Sequence, residues 1–121
     1  MGMVLEVARI LVRPGTAAQF RAAAASATPI FETATGCRSA RLLRSAEVED
    51  CFMLLVEWEQ LTDHTVSFWR SEGFAQWRQL VGHFFAETPR VEHGQYDLTI
   101  LSPKDYPPTD QAGTIKNEIR F

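Results

Sequence analysis

The chain has 121 residues with 45% hydrophobic and 22% charged side chains, the balance of one globular domain and not of a disordered segment. A formal charge of −3 with scattered Lys and Arg excludes a nucleic-acid or anionic-membrane surface. No apolar run approaches the ~18 residues needed to span a bilayer.

Residues 3–13 alternate as a strand, with Leu5, Val7 and Leu11 on one side and Val4, Glu6, Ala8 and Ile10 on the other. The first side reads as apolar, and the second carries a single charge, Glu6. This N-terminal stretch lacks a basic leader region, so it reads as a strand and not a signal peptide, and a cytoplasmic location is expected. Pro14-Gly15-Thr16 breaks the strand and opens a helix over about 16–34, with Phe20, Ala24, Ala27 and Phe31 as its apolar stripe. Pro29 falls inside that helix and removes a backbone donor, which predicts a kink or a restarted last turn. Gly36 suits the helix exit.

Residues 37–46 and 51–59 predict two strands joined by the acidic turn Glu47-Val48-Glu49-Asp50. In the second, Phe52, Leu54, Val56 and Trp58 share one face and Met53 and Leu55 the other, so it should be central and covered on both sides. The cysteines, Cys37 and Cys51, would sit roughly 20 Å apart on such a hairpin, beyond disulfide reach, and read as buried thiols. Residues 61–71 and 72–85 predict two short helices, with Ser71 as the N-cap of the second. A final strand covers 91–101, weakened at Gly94. The order β-α-β-β-α-β predicts an α+β, ferredoxin-like domain over residues 1–101, a four-stranded antiparallel sheet with helices on one face. The other face needs a cover, which a second copy packing sheet to sheet would supply. Residues 102–121 form a C-terminal extension, proline-rich at its start, that could dock on such a partner.

The histidines, His64, His83 and His93, show no metal-ligand spacing, so no metal is expected. Dinucleotide and phosphate loops are absent from the sequence, as is the G-x-S-x-G of serine hydrolases, and no cofactor is expected. What remains is an aromatic-lined pocket with a few polar groups. Phe74, Trp77 and Phe84 at helical spacing read as packing. Arg78 is either a solvated helix charge or a pocket cation, and His64 lies at a helix start after a strand, a place that often borders a pocket. Glu6 lies either at a subunit rim or in the pocket, where burial would raise its pKa and make it a candidate base.

The segments RPGTAAQF, TGC, VEWE, SEGFAQW and VEHGQYDL, spaced over residues 3–101, resemble the antibiotic biosynthesis monooxygenase (ABM) domain family of the dimeric α/β-barrel superfamily. The resemblance implies a homodimer whose two sheets enclose a barrel, with a pocket in each subunit between sheet and helices. It also implies O₂-dependent oxidation of anthrones or quinols without metal or flavin. The strand-end tryptophan and pocket arginine of the anthrone oxygenases fall on Trp58 and Arg78. Their asparagine, tyrosine and histidine fall on Leu54, His64 and Arg44, which departs from the pattern. Positions used by the haem-degrading members read Ala8, Phe68 and Arg78, so haem degradation is not implied. Trp69, one residue out of register, should face elsewhere.

Two functions follow as expectations. One is a cofactor-independent monooxygenase acting on a small phenolic, anthrone or quinol molecule. His64 would be the base, with Glu6 as the fallback; Arg78 would stabilise the anion and Trp58 orient the ring, with Glu6, Leu54, Phe52 and Phe68 contacting substrate. The other is a non-catalytic dimeric module of the same fold that binds a small aromatic or is purely structural.

Overall fold

A computed structural model of the chain describes residues 3–96. The expected extension at 102–121, and the end of the last expected strand, lie outside these residues. Four strands, β1 (Val4–Leu11), β2 (Cys37–Arg44), β3 (Cys51–Trp58) and β4 (Arg90–Gln95), form one antiparallel sheet in the order β2-β3-β1-β4. This is the α+β, ferredoxin-like arrangement that the alternation implied. The sheet stays open, with β2 and β4 at its edges, and does not close into a barrel.

The long helix divides as Pro29 demands. Helix α1 spans Ala17–Ala25 and α2 spans Thr28–Glu32, with Pro29 in the first turn of α2, where its missing N–H costs no helical bond. After β3 the chain does not form two α-helices. Asp63–Phe68 is a π-helix, closed by the Trp69 amide donating to the His64 carbonyl, five residues back. Helix α3 then runs Glu72–Val81, and the Ser71 hydroxyl caps it by accepting from the Phe74 amide at 3.1 Å.

All these helices lie on one face of the sheet. Val4, Glu6, Ala8 and Ile10 of β1 and Phe52, Leu54, Val56 and Trp58 of β3 are buried beneath them. Phe20 and Phe52 pack with ring centroids 4.9 Å apart, and Phe31 meets Trp77 edge-on at 5.2 Å. On the opposite face Leu5, Val7, Met53 and Leu55 are half-buried, and Leu43 is exposed. Arg9 shares that face, so it is not wholly apolar, and β3 is covered on one side only within the single chain. Both cysteines are free. Cys51 is buried, whereas Cys37 at the other end of the hairpin is only half-buried.

One backbone contact sets where the π-helix begins. Gly36 has φ +77°, and a Cβ placed there would overlap the Asp63 carboxylate. Asp63 is buried and accepts from the Gln60 amide, while the Gly36 carbonyl accepts from the Glu59 amide at 2.8 Å. Gly15 shares the left-handed conformation at φ +83° but has open space around it. Gly15→Ala should therefore cost only backbone strain, about 1 kcal/mol. Gly36→Ala should cost that and the displacement of Asp63, lowering Tm by at least about 5 °C more than Gly15→Ala. Equal Tm losses for the two variants would show that Asp63 yields freely.

Candidate functional site

Between the helix-covered sheet face, the π-helix and α3 lies a cavity of about 500 Å³. Its inner wall comes from β1 and β3 through Glu6, Ala8, Ile10 and Leu54. The π-helix adds His64 and Phe68, and α3 adds Phe74, Trp77 and Arg78. A second cavity, of about 430 Å³, lies towards β2 beyond the shared wall of Phe31, Leu54 and Trp77. Only the first is bordered by Glu6 and His64.

Glu6 is on the inward face of β1, and its side chain is 7% exposed. The Trp58 indole N–H donates to Glu6 Oε1 at 3.0 Å. The His64 ring stacks on Trp58, with centroids 5.2 Å apart and planes 13° from parallel. Its Nε2 lies 3.4 Å from Glu6 Oε1 and accepts the Trp69 indole N–H at 3.1 Å. Its Nδ1 lies 2.8 Å from His93 Nε2.

These bonds determine where the protons are. Indole N–H is a donor only, so His64 Nε2 must carry a lone pair towards Trp69. The neutral ring then has its proton on Nδ1, donated to His93. Two acceptor atoms therefore face each other across 3.4 Å between Glu6 and His64, unless Glu6 is itself protonated. Burial pushes Glu6 from an ordinary 4.5 up to about 7, and the Trp58 bond opposes this only partly. Burial, and next the neighbouring His93, push His64 from 6.5 down to about 4. Both shifts remove charge, so the contact is not an ion pair. Burial lowers His93 in the same sense.

The expected site residues divide. Glu6, Leu54, His64, Phe68 and Arg78 all border the one cavity. Trp58 stands behind it, touching Glu6 and His64 and not lining the void. Phe52 shares the strand face but packs on Phe20, away from the cavity, so it is not a lining residue. Arg44 is likewise remote, over the Phe52 ring. Arg78 is exposed at the mouth, 5.8 Å from the centre of the Phe74 ring, and forms no ion pair among the described residues.

Trp69 does not face elsewhere. It lines the cavity and bonds His64, because in a π-helix residues five apart stack, whereas in an α-helix they lie about 140° apart. His93 is the other residue missed. Its pairing opposite Glu6 puts it on the cavity side of β4, and nothing in the local sequence joins it to His64. Among the described residues no group of three or more His, Cys, Asp or Glu side chains is arranged to hold a metal ion.

Glu6 and His64 make opposite contributions to the pH dependence of stability. Glu6 keeps its proton longer when folded, so its contribution falls as pH rises from 4.5 to about 7. His64 binds its proton less readily when folded, so its contribution rises from about 4 to 6.5. The two offset across most of this range, and the intact pair should leave stability nearly flat there. Glu6→Gln should unmask stability rising with pH, and His64→Gln should unmask stability falling by up to roughly 3 kcal/mol. Urea titrations of each variant between pH 4 and 7 check the slopes, and parallel slopes in both would contradict the assignment.

Residues 3–80 match the family model described as antibiotic biosynthesis monooxygenase. The uncharacterized protein YczJ of Bacillus subtilis (strain 168) is 36% identical over 93 residues, covering 77% of this chain and 98% of that one. A crystal structure from Bordetella bronchiseptica, named provisionally as an antibiotic biosynthesis monooxygenase, is 46% identical with a TM-score of 0.78, covering 81% of this chain and all of that one. A similarly named Caulobacter crescentus CB15 structure has 22% identity and a TM-score of 0.71 over 79% of this chain and 91% of its own, a likeness of fold. The helices of this chain are too short or too polar to cross a membrane among the described residues. With a matching model over most of its length and a relative at this identity, the chain belongs to the antibiotic biosynthesis monooxygenase family.

Proposed function

We propose that this protein is a cofactor-independent monooxygenase for a small phenolic, anthrone or quinol-type molecule bound in the cavity of Glu6 and His64. The observation that carries this reading is a buried carboxyl with its pKa raised to about 7, set in the wall of an aromatic cavity. A base of that strength is half-deprotonated at neutral pH, where proton abstraction is most effective. Of the two candidate bases Glu6 is favoured. His64, lowered to about 4, is a weak base whose ring nitrogens both already have partners.

In this reading, with an anthrone as the substrate, the Glu6 carboxylate takes a proton from its acidic CH₂, leaving an electron-rich anion in the cavity. The anion passes one electron to O₂, and the resulting radical and superoxide combine to form a C–O bond. Glu6 returns the proton to the peroxide, then removes the remaining C–H proton as the O–O bond breaks. The products are a ketone and hydroxide, which takes that proton to become water. CH₂ and O₂ thus become C=O and H₂O, with no external reductant. Arg78 at the mouth lowers the energy of the anion. Trp58 acts on the carboxyl through its indole N–H and on the ring of His64 by stacking.

A second reading, a non-catalytic binding module, draws on the apolar character of the inner wall at Ala8, Ile10 and Leu54. No polar group there would hold a reacting oxygen in place. Either function is compatible with a homodimer packed through the open sheet face, where Leu5, Val7, Met53 and Leu55 wait half-covered. Polar residues Arg9, Arg41, Glu57 and Glu92 share that face by strand pairing and would form its rim.

Oxygen-electrode measurements with anthrone and simple quinols separate the readings. Uptake by the intact chain should climb as pH passes through about 7, and Glu6→Gln should reduce it by roughly 10²-fold or more. Arg78→Ala should reduce it by about tenfold. Ligand binding without uptake would establish the module instead. For the assembly, light scattering should give twice the chain mass, and Leu55→Glu should halve it; a monomeric intact chain would remove the sheet-face dimer.

A further inference from the structure

We propose that His93 is the outer end of a proton relay, His93–His64–Glu6, that joins the cavity wall to solvent at a separate hollow beside β4. The inference rests on the reading of Glu6 as the base and concerns how that base exchanges its proton once a ligand has closed the cavity. His93 is exposed and borders a separate surface hollow, shared with Gln60, Thr62 and Gln95. That hollow and the main cavity have no lining residue in common. The connection between them is the 2.8 Å contact of His93 with His64, whose other nitrogen lies 3.4 Å from Glu6.

The tautomers run in the sense a relay requires. A proton on Glu6 passes to His64 Nε2 while the Nδ1 proton of His64 passes to His93 Nε2. His93 then releases its own Nδ1 proton to water. One proton enters and one leaves, and the reverse sequence returns it. Trp69 must give up His64 Nε2 during transfer. Trp69 is 48% exposed, so water can accept its N–H in exchange. Among the described residues the other charged groups lining the main cavity are Arg78 and Glu87. Glu92, next to His93 on β4, pairs with Val7 and faces the opposite side of the sheet. The Asp63 carboxylate is engaged with the Gln60 amide. The Cys37 thiol, which burial raises and the Glu6 carboxylate raises further, is coupled to the inner end of the relay.

Two variants separate passage of a proton from support of the ring. His93→Gln keeps an acceptor for His64 Nδ1–H but cannot pass a proton on, and His93→Ala removes both. Long-range ¹H–¹⁵N spectra of the full chain should show neutral His64 protonated on Nδ1 in the intact protein and in His93→Gln. The probe for transfer is exchange of anthrone methylene protons with D₂O, without O₂. Both variants should exchange at least about tenfold more slowly than the intact chain. Added imidazole should restore the rate in His93→Ala. Exchange in His93→Gln at the intact rate, or His64 protonated on Nε2 in the intact chain, overturns the relay and leaves Glu6 as base. No exchange by the intact chain removes the base itself, and the relay with it.

Discussion

A single hydrogen bond, from the Trp58 indole to the Glu6 carboxyl, organises this end of the domain. Both side chains are buried on the helix-covered face, and each would be costly there alone. Val4 pairs with Trp58 and Glu6 with Val56, so Glu6 and Trp58 are diagonal neighbours within reach of long side chains. A slip of one residue in the β1–β3 register would turn one of the pair to the open face. The bond therefore depends on the central strand pairing and also limits it. Once Trp58 is held flat, His64 can stack on it, and the π-helix is carried to the cavity rim. Gly36 and Asp63 fix the start of that helix from the other side.

Much of this was legible from residue order. The lone charge on the inward face of β1 pointed to Glu6, and Pro29 and Ser71 marked helix boundaries that the chain observes. Phe52 shows where such reading overreaches. It shares a face with Leu54, two residues along, yet its ring packs on Phe20 and leaves the cavity wall to Leu54, so a common face is not a common site. Trp69 was set aside for lying one residue out of register with Phe68, yet the backbone bond five residues back brings it to His64. His93 is 29 residues from His64 and meets it only through strand pairing and the placement of the π-helix, neither of which leaves a local pattern.

Family membership and the site carry different information. The fold, and a pocket between sheet and helices, are shared properties of a scaffold that accommodates many chemistries. At Leu54, His64 and Arg44 this chain departs from the anthrone-oxygenase pattern, and Arg44 is not even at the cavity. Polar capacity lies instead along a line from Glu6 through His64 to His93. That line crosses from β1 to β4 by way of the π-helix. Its polar atoms thus lie on the β1–β4 side of the pocket, while β3 presents the apolar Leu54 to the cavity.

The π-helix explains how such a line can exist at all. A π-turn has poorer backbone geometry than an α-turn and is found mostly as a single turn near functional sites. Here the fivefold step superposes Trp69 on His64, which supplies a donor to Nε2 and so fixes the Nδ1–H tautomer. An α-helical turn would carry the Trp69 indole away, and Nε2 would then be free to hold the proton and donate it to Glu6. Burial, and not the turn, raises the Glu6 carboxyl to about 7 and lowers His64 to about 4. The extra residue in the turn acts on the other variable, the tautomer, by keeping the Trp69 indole against Nε2 so that the ring donates towards His93 and not towards Glu6.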